Sequence, residues 1–452
     1  MDITFLGATE TVTGSKYLLH FQDKKILIDC GLYQGLKELR RRNWNKLPVQ
    51  PSEIDAVILT HAHIDHSGYL PLLVKNGFQG KIFSTEGTKD LCNILLPDSG
   101  HIQESEAENA NRYGYSKHSP ALPLYTQEDG EKAIQHFYTL PFNHSHAIDK
   151  DFSFEFLPAG HIIGSSFIKI QYQQFSMLFT GDMGRLHDPV MKPPTLIEGV
   201  DYLVLESTYG NRLHEPEHPK EYLKLIVNKT IKRGGTVIIP SFAVGRSQAL
   251  LHYLYLLKKE NAIPDIPVFL DSPMAIDSTE ILLKHRDNLR LSEEECRGLN
   301  SISTFTTTPE ESQELDHNPM PKIIISASGM ATGGRILFHL ATYAPNHRNT
   351  ILFTGYQANG TRGSRMLAGE TALKIHGQLI PVKAQIEVLS NCSAHADYAE
   401  TLQWLSYFKK SPKKIFITHG EKHASEALKE KIEKKFHWKC VVPQYQQKEK
   451  LI

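Results

Sequence analysis

The sequence predicts an α/β protein in which one domain is interrupted by a second, inserted one. The chain has 452 residues, more than a single hydrophobic core usually supports, so two or three structural units are expected. Up to about residue 208, short apolar and β-branched stretches are separated by polar turns, as in a strand-rich domain. From about residue 210, strands alternate with amphipathic stretches, which is typical of a parallel sheet with helical crossovers.

The first domain is predicted to place strands on both sides of a mainly helical segment. Helical spacing over 70–77 and the glycine at its end predict a helix that stops at Gly77. Residues 88–135 favour helix, with the acidic stretch 103–118 as an exposed excursion. Strands are predicted at 2–8, 15–21, 24–31, 56–62, 80–85, 151–161, 165–172, 175–182 and 201–208.

The inserted part is predicted to alternate strand and helix. Helices are expected over 218–235, 245–259 and 334–344, and over the polar segment 280–318. Strands are expected at 235–242, 266–273, 322–329 and 349–357. Two more strand-then-helix units follow, at 385–408 and 413–432.

Charge and hydropathy exclude several classes of protein. Lysine plus arginine and aspartate plus glutamate both number 50, so any nucleic-acid binding must come from a local basic surface rather than from net charge. The acidic second residue and the lack of a basic start predict that there is no signal peptide. No apolar run approaches the ~20 residues of a membrane helix, so no membrane association is expected.

The cysteines indicate a reducing compartment. They are odd in number, widely spaced and without a C-x-x-C pair: Cys30, Cys92, Cys296, Cys392 and Cys440. This pattern argues against a disulfide framework and against a thiolate zinc site, and it predicts the cytoplasm. Any metal must therefore be held by histidine and carboxylate.

A cluster of such residues follows the buried stretch "AVILT". In "THAHIDH", His61 and His63 are two residues apart at a strand end, while Asp65 and His66 turn toward the next helix. A histidine such as His61 alone is better explained as a surface-loop residue. Three of the later predicted strand ends carry matching residues, namely His161, Asp182 and His419. The combination therefore favours a metal site over a polar loop.

This ordered set resembles the metallo-β-lactamase fold of binuclear zinc hydrolases, with Asp29 in "LIDCG" as a further match. The strings "LVLEST", "PSFAVGRSQ", "SASGMATGG" and "SAHADY" resemble the β-CASP subfamily, which acts on nucleic acids. The resemblance covers essentially the whole chain. It implies a four-layer αββα domain in two parts, residues 1–209 and 381–452, interrupted by an α/β β-CASP domain with a mainly parallel sheet at 210–380.

The resemblance also implies the roles of the site residues. His61, His63 and His161 would bind one zinc ion, Asp65, His66 and His419 the other, and Asp182 would bridge the two, with Mn²⁺ as the alternative metal. The implied catalytic set is Asp65, His395 and Glu206, in which His395 is the general acid and Glu206 orients it. A purely structural His395 is the alternative. Asp29 would orient a ligand-bearing loop, or it is only a turn aspartate at a strand end.

Substrate contacts are less specific in the sequence. Arg246 and the small-residue run that contains Ser326 and Gly329 are candidate phosphate contacts. His339 falls on the apolar face of a helix and is interpreted as structural. The basic runs at 40–42 and 409–414 are more simply explained as solvated faces.

The resemblance is nearest to the branch that cleaves RNA, because His419 is present where members that act on DNA typically carry valine. It implies a zinc-dependent endonuclease of single-stranded RNA that leaves 5′-phosphate and 3′-hydroxyl ends, and homodimers are common among relatives. Alternatives are a 5′-to-3′ exoribonuclease and a DNA-processing β-CASP nuclease. A catalytically silent scaffold is disfavoured, since all seven positions expected to bind metal carry a histidine or an aspartate. A small-molecule hydrolase is also disfavoured, because that function would not explain the inserted domain.

Overall fold

The computed structural model describes residues 1–114, 116–215, 217–355, 357 and 360–451. The chain forms two compact units. The first comprises Met1–His187, Pro193–Leu213 and His395–Ile452, and the second comprises Asp188–Lys192 and His214–Ala394. Each unit is built around its own sheets and core.

The first unit contains two seven-stranded sheets, with strands numbered along the chain. In spatial order, the first sheet consists of β22 (Lys448–Lys450), β1 (Asp2–Phe5), β2 (Tyr17–Phe21), β3 (Lys24–Ile28), β4 (Ala56–Ile58), β5 (Lys81–Ser84) and β6 (Phe137–Thr139). The second consists of β21 (Cys440–Val441), β20 (Lys414–Thr418), β11 (Tyr202–Glu206), β10 (Phe175–Phe179), β9 (Ser166–Tyr172), β8 (Phe152–Pro158) and β7 (His146–Ala147).

Both sheets combine parallel and antiparallel pairs. In the first sheet β3, β4, β5 and β6 are parallel neighbours, and in the second β10, β11, β20 and β21 are. The carboxyl ends of parallel neighbours share one edge of a sheet, which is where ligands bind in open α/β sheets. This edge carries the polar residues that the sequence places at strand ends.

An aromatic-rich core lies between the two sheets. Phe21 of β2 stacks on Phe152 of β8 with ring centroids 4.6 Å apart, and Tyr17 meets Phe179 at 5.7 Å. The opposite faces of the sheets are also buried: Trp404 and Leu428 pack with Leu203 on the second sheet, and the first sheet buries Val57. Because residues on both faces of these strands are buried, each sheet must be covered by another layer on each side.

Helices supply those layers. Within the first unit they are α1 (Lys37–Arg42), α2 (Ile64–Ser67), α3 (Leu70–Lys75), α4 (Glu86–Tyr113), α5 (Gln127–Ile134), α13 (Tyr398–Leu405) and α14 (Lys422–Phe436). The predicted four-layer αββα architecture is confirmed. None of the helices in the described ranges is both long and apolar enough to cross a membrane.

The second unit has a six-stranded sheet in which every pair is parallel. In spatial order its strands are β14 (Thr304–Phe305), β13 (Val268–Asp271), β15 (Ile323–Ser326), β12 (Val237–Pro240), β16 (Thr350–Phe353) and β19 (Gln385–Val388). β12, β15 and β16 are buried along their whole length, as expected for a sheet covered on both faces. The predicted mainly parallel β-CASP sheet is confirmed.

Seven helices in the described part of this unit accompany the sheet: α6 (Pro219–Lys232), α7 (Arg246–Lys259), α8 (Pro273–Lys284), α9 (Glu293–Ser301), α10 (Pro309–His317), α11 (Ile336–Tyr343) and α12 (Arg362–Leu367). A separate hairpin is formed by β17 (Ala372–Ile375) and β18 (Gln378–Pro381). Strand β19 lies beyond residue 380 but pairs with β16 of this sheet, and the second unit accordingly extends to Ala394. The domain limits at 209 and 380 stay a prediction.

One local prediction needs correction. The stretch 103–118 was expected to leave the helix as an exposed excursion, yet α4 continues through it to Tyr113 and ends at Gly114, whose φ is 64°. The segment is exposed on most of its surface, but its alanine, glutamate and glutamine residues are good helix formers. A positive φ is favourable for glycine and stops the helix there.

Candidate metal centre

The predicted metal ligands all lie in the first unit, each just past the carboxyl end of a strand. His61, His63, Asp65 and His66 follow β4, His161 follows β8, Asp182 follows β10 and His419 follows β20. The loops that carry them pack closely. A Cβ atom placed on Gly31 would lie 1.6 Å from the carbonyl oxygen of Asp65, so only glycine allows the loop after β3 to contact the Asp65 backbone.

Three histidines form one group of ligand atoms. Nε2 of His61 lies 3.1 Å from Nδ1 of His63, which lies 3.3 Å from Nε2 of His161. Asp182 turns Oδ2 toward this group, at 3.4 Å from Nε2 of His61 and 3.5 Å from Nε2 of His161. All four ligand atoms lie within 4.8 Å of one another.

Asp65, His66 and His419 form a second group. Nε2 of His419 lies 3.1 Å from Nε2 of His66 and 3.2 Å from Oδ2 of Asp65. The other oxygen of Asp182, Oδ1, lies 3.2 Å from Nε2 of His66 and 3.3 Å from Nδ1 of His419, the ring nitrogen opposite the one that faces His66 and Asp65. One carboxylate therefore presents one oxygen to each group.

Burial keeps the first group neutral. Desolvation lowers the pKa of His61 to about 3, and it also lowers the pKa values of His63 and His161. Neutral imidazoles have a free lone pair, which is the form that binds metal.

The second group is more anionic. Burial disfavours charge on His66, but the carboxylates of Asp182, Asp29 and Asp65 outweigh it and raise the pKa of His66 well above its ordinary value. Burial likewise opposes ionisation of Asp65 and Asp182, but nearby histidines lower both carboxyl pKa values. These carboxylates need positive charge close by.

The donor set fits divalent cations. In the part of the chain that the structure describes, every ion-pair partner of Asp65 and Asp182 is a histidine. Within the same residues, the buried atoms Asp182 Oδ1 and His161 Nδ1 lack a hydrogen-bond partner. Ring nitrogens that face each other can share at most one proton, whereas a cation satisfies all of them together with the carboxylates.

Asp29 lies beside the second group. Its Oδ2 accepts a hydrogen bond from Nδ1 of His66 at 2.7 Å, and its Oδ1 accepts one from the backbone N–H of Thr60 at 2.7 Å. Such contacts fix the tautomer and orientation of a ligand histidine. The orienting role stays a prediction that this geometry supports.

Two threonines complete the surroundings, and the sequence analysis missed both as site residues. The hydroxyl of Thr60 bonds Asp29 at 2.9 Å and lies 3.1 Å from Nδ1 of His61. The hydroxyl of Thr208 lies 3.1 Å from Nδ1 of His419. Their only sequence signal is a hydroxyl residue next to a ligand motif at a strand end.

His395 and Glu206 form a pair at the edge of the first group. Nδ1 of His395 donates to Oε1 of Glu206 at 3.2 Å, and the His395 ring lies 4.6 Å from that of His161. Glu206 also accepts the backbone N–H of Met183 at 2.6 Å. Burial disfavours the charged form, but the carboxylates of Glu206 and Asp182 raise the pKa of His395 to about 9.

The predicted substrate contacts lie in the second unit. Arg246 begins α7, and its guanidinium lies so near Gly355 that a Cβ there would be 2.6 Å away. The Ser326 hydroxyl is buried and donates to the carbonyl of Asp271 at 2.8 Å, while the Gly329 carbonyl accepts from Gln357 at 3.0 Å. Ser326 is thus occupied within the fold, and the phosphate-contact role of all three residues stays a prediction.

His339 is fully buried between two carboxylates of the second unit. Its Nε2 bonds Asp271 at 2.6 Å and its Nδ1 bonds Asp316 at 2.7 Å. Arg335 adds a bond to Asp271 at 2.7 Å. Both ring nitrogens are satisfied by the protein, which agrees with a structural role, although its neighbours are charged rather than apolar.

Comparison with known families agrees with this architecture. Sequence profiles match the metallo-beta-lactamase superfamily over residues 12–208, the Beta-Casp domain over residues 247–366 and the Zn-dependent metallo-hydrolase RNA specificity domain over residues 379–443. "Ribonuclease TTHA0252" of Thermus thermophilus is 34% identical over 439 residues, which is 95% of each chain. The chain belongs to the β-CASP family of metallo-β-lactamase RNA nucleases.

Other members of the β-CASP family support this assignment. "Transcription termination factor FttA" of Methanosarcina mazei is 31% identical over 96% of this chain and 69% of its own. "Probable RNase MJ4" of Methanocaldococcus jannaschii is 32% identical over 95% of both. A solved protein of unknown function from Enterococcus faecalis V583 covers 99% of both chains with a TM-score of 0.54 and 15% identity, a likeness of fold alone. The predicted hydrolase and nuclease class is confirmed.

Proposed function

We propose that the protein is a zinc-dependent endoribonuclease that hydrolyses internal phosphodiester bonds of single-stranded RNA and leaves 5′-phosphate and 3′-hydroxyl ends. The observation that carries this proposal is the arrangement around Asp182. One of its oxygens faces each ligand group, and the His395–Glu206 pair lies beside them. Relatives named as ribonucleases support RNA as the substrate class.

Two zinc ions are proposed, because each ligand group supplies three donors and Asp182 has one oxygen near each group. Mixed nitrogen and oxygen donors suit zinc. Mn²⁺ is the alternative. His61, His63 and His161 would hold one ion, Asp65, His66 and His419 the other, and Asp182 both. When bound, two such ions generate a nucleophile from water near neutral pH and stabilise the charge that develops on the phosphoryl oxygens.

The protein groups then orient the reactants and move a proton. The Asp65 carboxylate, which His419 contacts at 3.2 Å, would orient the attacking water. Because Nδ1 of His395 donates to Glu206, we assign to its Nε2 the protonation of the departing 3′-oxygen. Glu206 fixes the ring and favours the imidazolium that carries this proton.

The test uses a circular single-stranded RNA and its linear form, each internally labelled, with zinc-loaded protein. An endonuclease cuts the circle, whereas a 5′-to-3′ exonuclease needs an end and leaves it intact. His395→Ala should slow cleavage about 10²- to 10⁴-fold, the usual contribution of general acid catalysis, without loss of bound zinc. His423→Ala, a change at an exposed histidine of α14, is the matched control.

Three results would contradict the proposal. Cleavage of DNA of the same sequence as fast as RNA would favour a DNA-processing enzyme, an intact circle with a degraded linear RNA would favour an exonuclease, and an unimpaired His395→Ala variant would remove the proposed acid. Metal analysis of the purified protein should find two zinc ions per chain.

The compartment and assembly belong to the same proposal. All five cysteines are buried and none forms a disulfide, which fits the reducing cytoplasm. A homodimer is the assembly suggested by the family resemblance, and light scattering of the purified protein tests it.

A further inference from the structure

The chain has two basic runs, and the structure separates them. In the run at 409–414, Lys409 pairs with Glu198, Lys410 and Lys413 pair with Asp201, and Lys414 pairs with Glu449, at 2.5–3.6 Å. These lysines are therefore largely neutralised by neighbouring carboxylates. Such surface pairs are weak individually, but they leave little net positive charge.

The run in and after α1 is different. Residues 36–50 contain five basic side chains and one acidic one. Lys37, Arg40, Arg41 and Lys46 are exposed and form no ion pair in the described part of the chain. Arginines in the last turn of α1 interact favourably with the helix dipole. The dipole does not explain why exposed Lys46 and an exposed aromatic residue follow the helix.

That aromatic residue is Trp44, whose side chain is 61% exposed. It lines a cavity of about 410 Å³, a size within the range of small-molecule sites. The amide side chains of Asn45, Gln50 and Asn76 line the cavity. All three are exposed, and none forms a side-chain hydrogen bond among the residues that the structure describes. An exposed tryptophan among amides and cations offers a stacking face beside polar and charged groups.

We infer that this surface binds the single-stranded RNA substrate outside the cleavage site. The Trp44 patch is defined as Lys37, Arg40, Arg41, Trp44, Asn45 and Lys46. In this assignment, which rests on the proposed function, a base stacks on Trp44, the amides contact base edges, and Arg40 and Arg41 contact phosphates. Stacking platforms inside a positive surface are how proteins bind single strands with little sequence preference.

The patch also lies close to the metal centre along the chain. Tyr69 lines the cavity and comes three residues after His66, a span of at most about 11 Å. Its backbone N–H bonds the carbonyl of Cys30, next to Asp29, at 2.8 Å. One wall of the cavity therefore lies within about 11 Å of a predicted metal ligand, and in this assignment RNA nucleotides near the cut contact it.

The test measures steady-state cleavage of a 30-nucleotide single-stranded RNA at several salt concentrations. Arg40→Ala/Arg41→Ala should raise KM about tenfold at 0.15 M salt with kcat unchanged. The slope of log(kcat/KM) against the logarithm of the salt concentration should become less steep by about 1.4, since two phosphate contacts are lost. Lys409→Ala/Lys410→Ala removes the same charge from the paired run and should behave as the wild type.

Trp44 is tested separately on the same RNA. Trp44→Ala should raise KM about tenfold and Trp44→Phe less, because base–aromatic stacking contributes about 1–3 kcal/mol per base. Fluorescence anisotropy with a labelled duplex of the same sequence should show no difference between wild type and Trp44→Ala, since the bases of a duplex are not free to stack.

The outcomes separate this inference from the function on which it rests. If the wild type cleaves the RNA but the arginine variant matches the lysine control, or if kcat falls while KM does not change, the Trp44 patch is not an RNA site. If the wild type neither binds nor cleaves single-stranded RNA, the proposed function fails and the patch assignment fails with it.

Discussion

The two units each contain a buried cluster of histidine and carboxylate, and the clusters differ in which groups face each other. In the second unit, His339 lies between Asp271 and Asp316, so each ring nitrogen meets an oxygen at 2.6–2.7 Å. In the first unit, ring nitrogens face other ring nitrogens, as His66 faces His419 at 3.1 Å. The cluster in the second unit is complete without a ligand. The cluster in the first unit has facing ring nitrogens that only a cation would satisfy together.

This difference shows that residue types alone do not identify a metal site. Both clusters are buried, and both combine imidazole with aspartate. Alternation of donor and acceptor stabilises the fold by itself, whereas convergence of lone pairs is favourable only when a positive ion is bound. If the geometry decides the role, substitutions in the first-unit cluster should change metal content, and substitutions in the second-unit cluster should change stability.

The largest effect is expected at Asp182, because one carboxylate serves both ligand groups. Asp182→Asn should reduce bound zinc from two ions to one or none and slow RNA cleavage by more than a hundred-fold, since loss of outer hydrogen-bond partners alone typically costs 10- to 100-fold. Inductively coupled plasma mass spectrometry and initial rates measure both. Asp265→Asn, at an aspartate whose side chain is 98% exposed, is the control. Two zinc ions retained by Asp182→Asn would remove the bridging role.

The second cluster should respond in the opposite way. His339→Ala leaves the buried Asp271 and the partly buried Asp316 without their central donor and should lower the free energy of unfolding by about 3–5 kcal/mol, the cost of breaking a buried ion pair. Zinc content and the kcat of the folded protein should not change. Urea denaturation is the measurement, with His347→Ala at an exposed histidine of the same unit as the comparison. A variant that lost zinc but kept its stability would reverse our assignment of the clusters.

A smaller effect is expected at Asp29, which contacts a ligand rather than the metal. Asp29→Asn should weaken zinc affinity about 10- to 100-fold, measured by competition with a chelator of known affinity. The backbone φ of Asp29 is 56°, and asparagine tolerates this left-handed conformation as well as aspartate does. The substitution therefore changes the hydrogen bond to His66 and not the turn. Unchanged affinity would mean that Asp29 is only a turn residue.

The sequence predicted the grouping of residues around Asp182 better than it predicted the cluster at His339. His61, His63, Asp65 and His66 lie within six positions, and each remaining ligand ends a recognisable strand, so the spacing and the strand pattern carry the information. Asp271 and Asp316 are separated from His339 by 68 and 23 residues. Neither position points to His339 in the sequence, and only tertiary packing brings the two aspartates to the ring.

Local misjudgements have a similar cause. The acidic stretch 103–118 is predicted as an exposed excursion, although its residues have high helix propensity and α4 continues to Tyr113. Thr60 and Thr208 were overlooked as site residues since a threonine at a strand end is common. Their roles follow from distances to His61 and His419, which no periodicity encodes.

The last prediction concerns pH and uses the same comparison. Four ionisable groups face or adjoin His339, namely Asp271, Asp316, Arg335 and Tyr343. Burial disfavours the imidazolium, but hydrogen bonds to Asp271 and Asp316 outweigh burial and raise the pKa of His339 above its ordinary value of 6.5. The folded state thus binds a proton that the unfolded state loses first as the pH rises.

The sign follows from that difference. The stabilisation is fully present below about pH 6.5 and is lost as the pH rises through the folded-state pKa, at no more than about 1.4 kcal/mol per pH unit for one proton. Urea denaturation between pH 6 and pH 9 should therefore show a steeper loss of stability for the wild type than for His339→Gln, which does not titrate. Parallel curves for the two proteins would mean that His339 is neutral in the fold. The Asp271–His339–Asp316 cluster would then be an ordinary hydrogen-bond network and not a charged one.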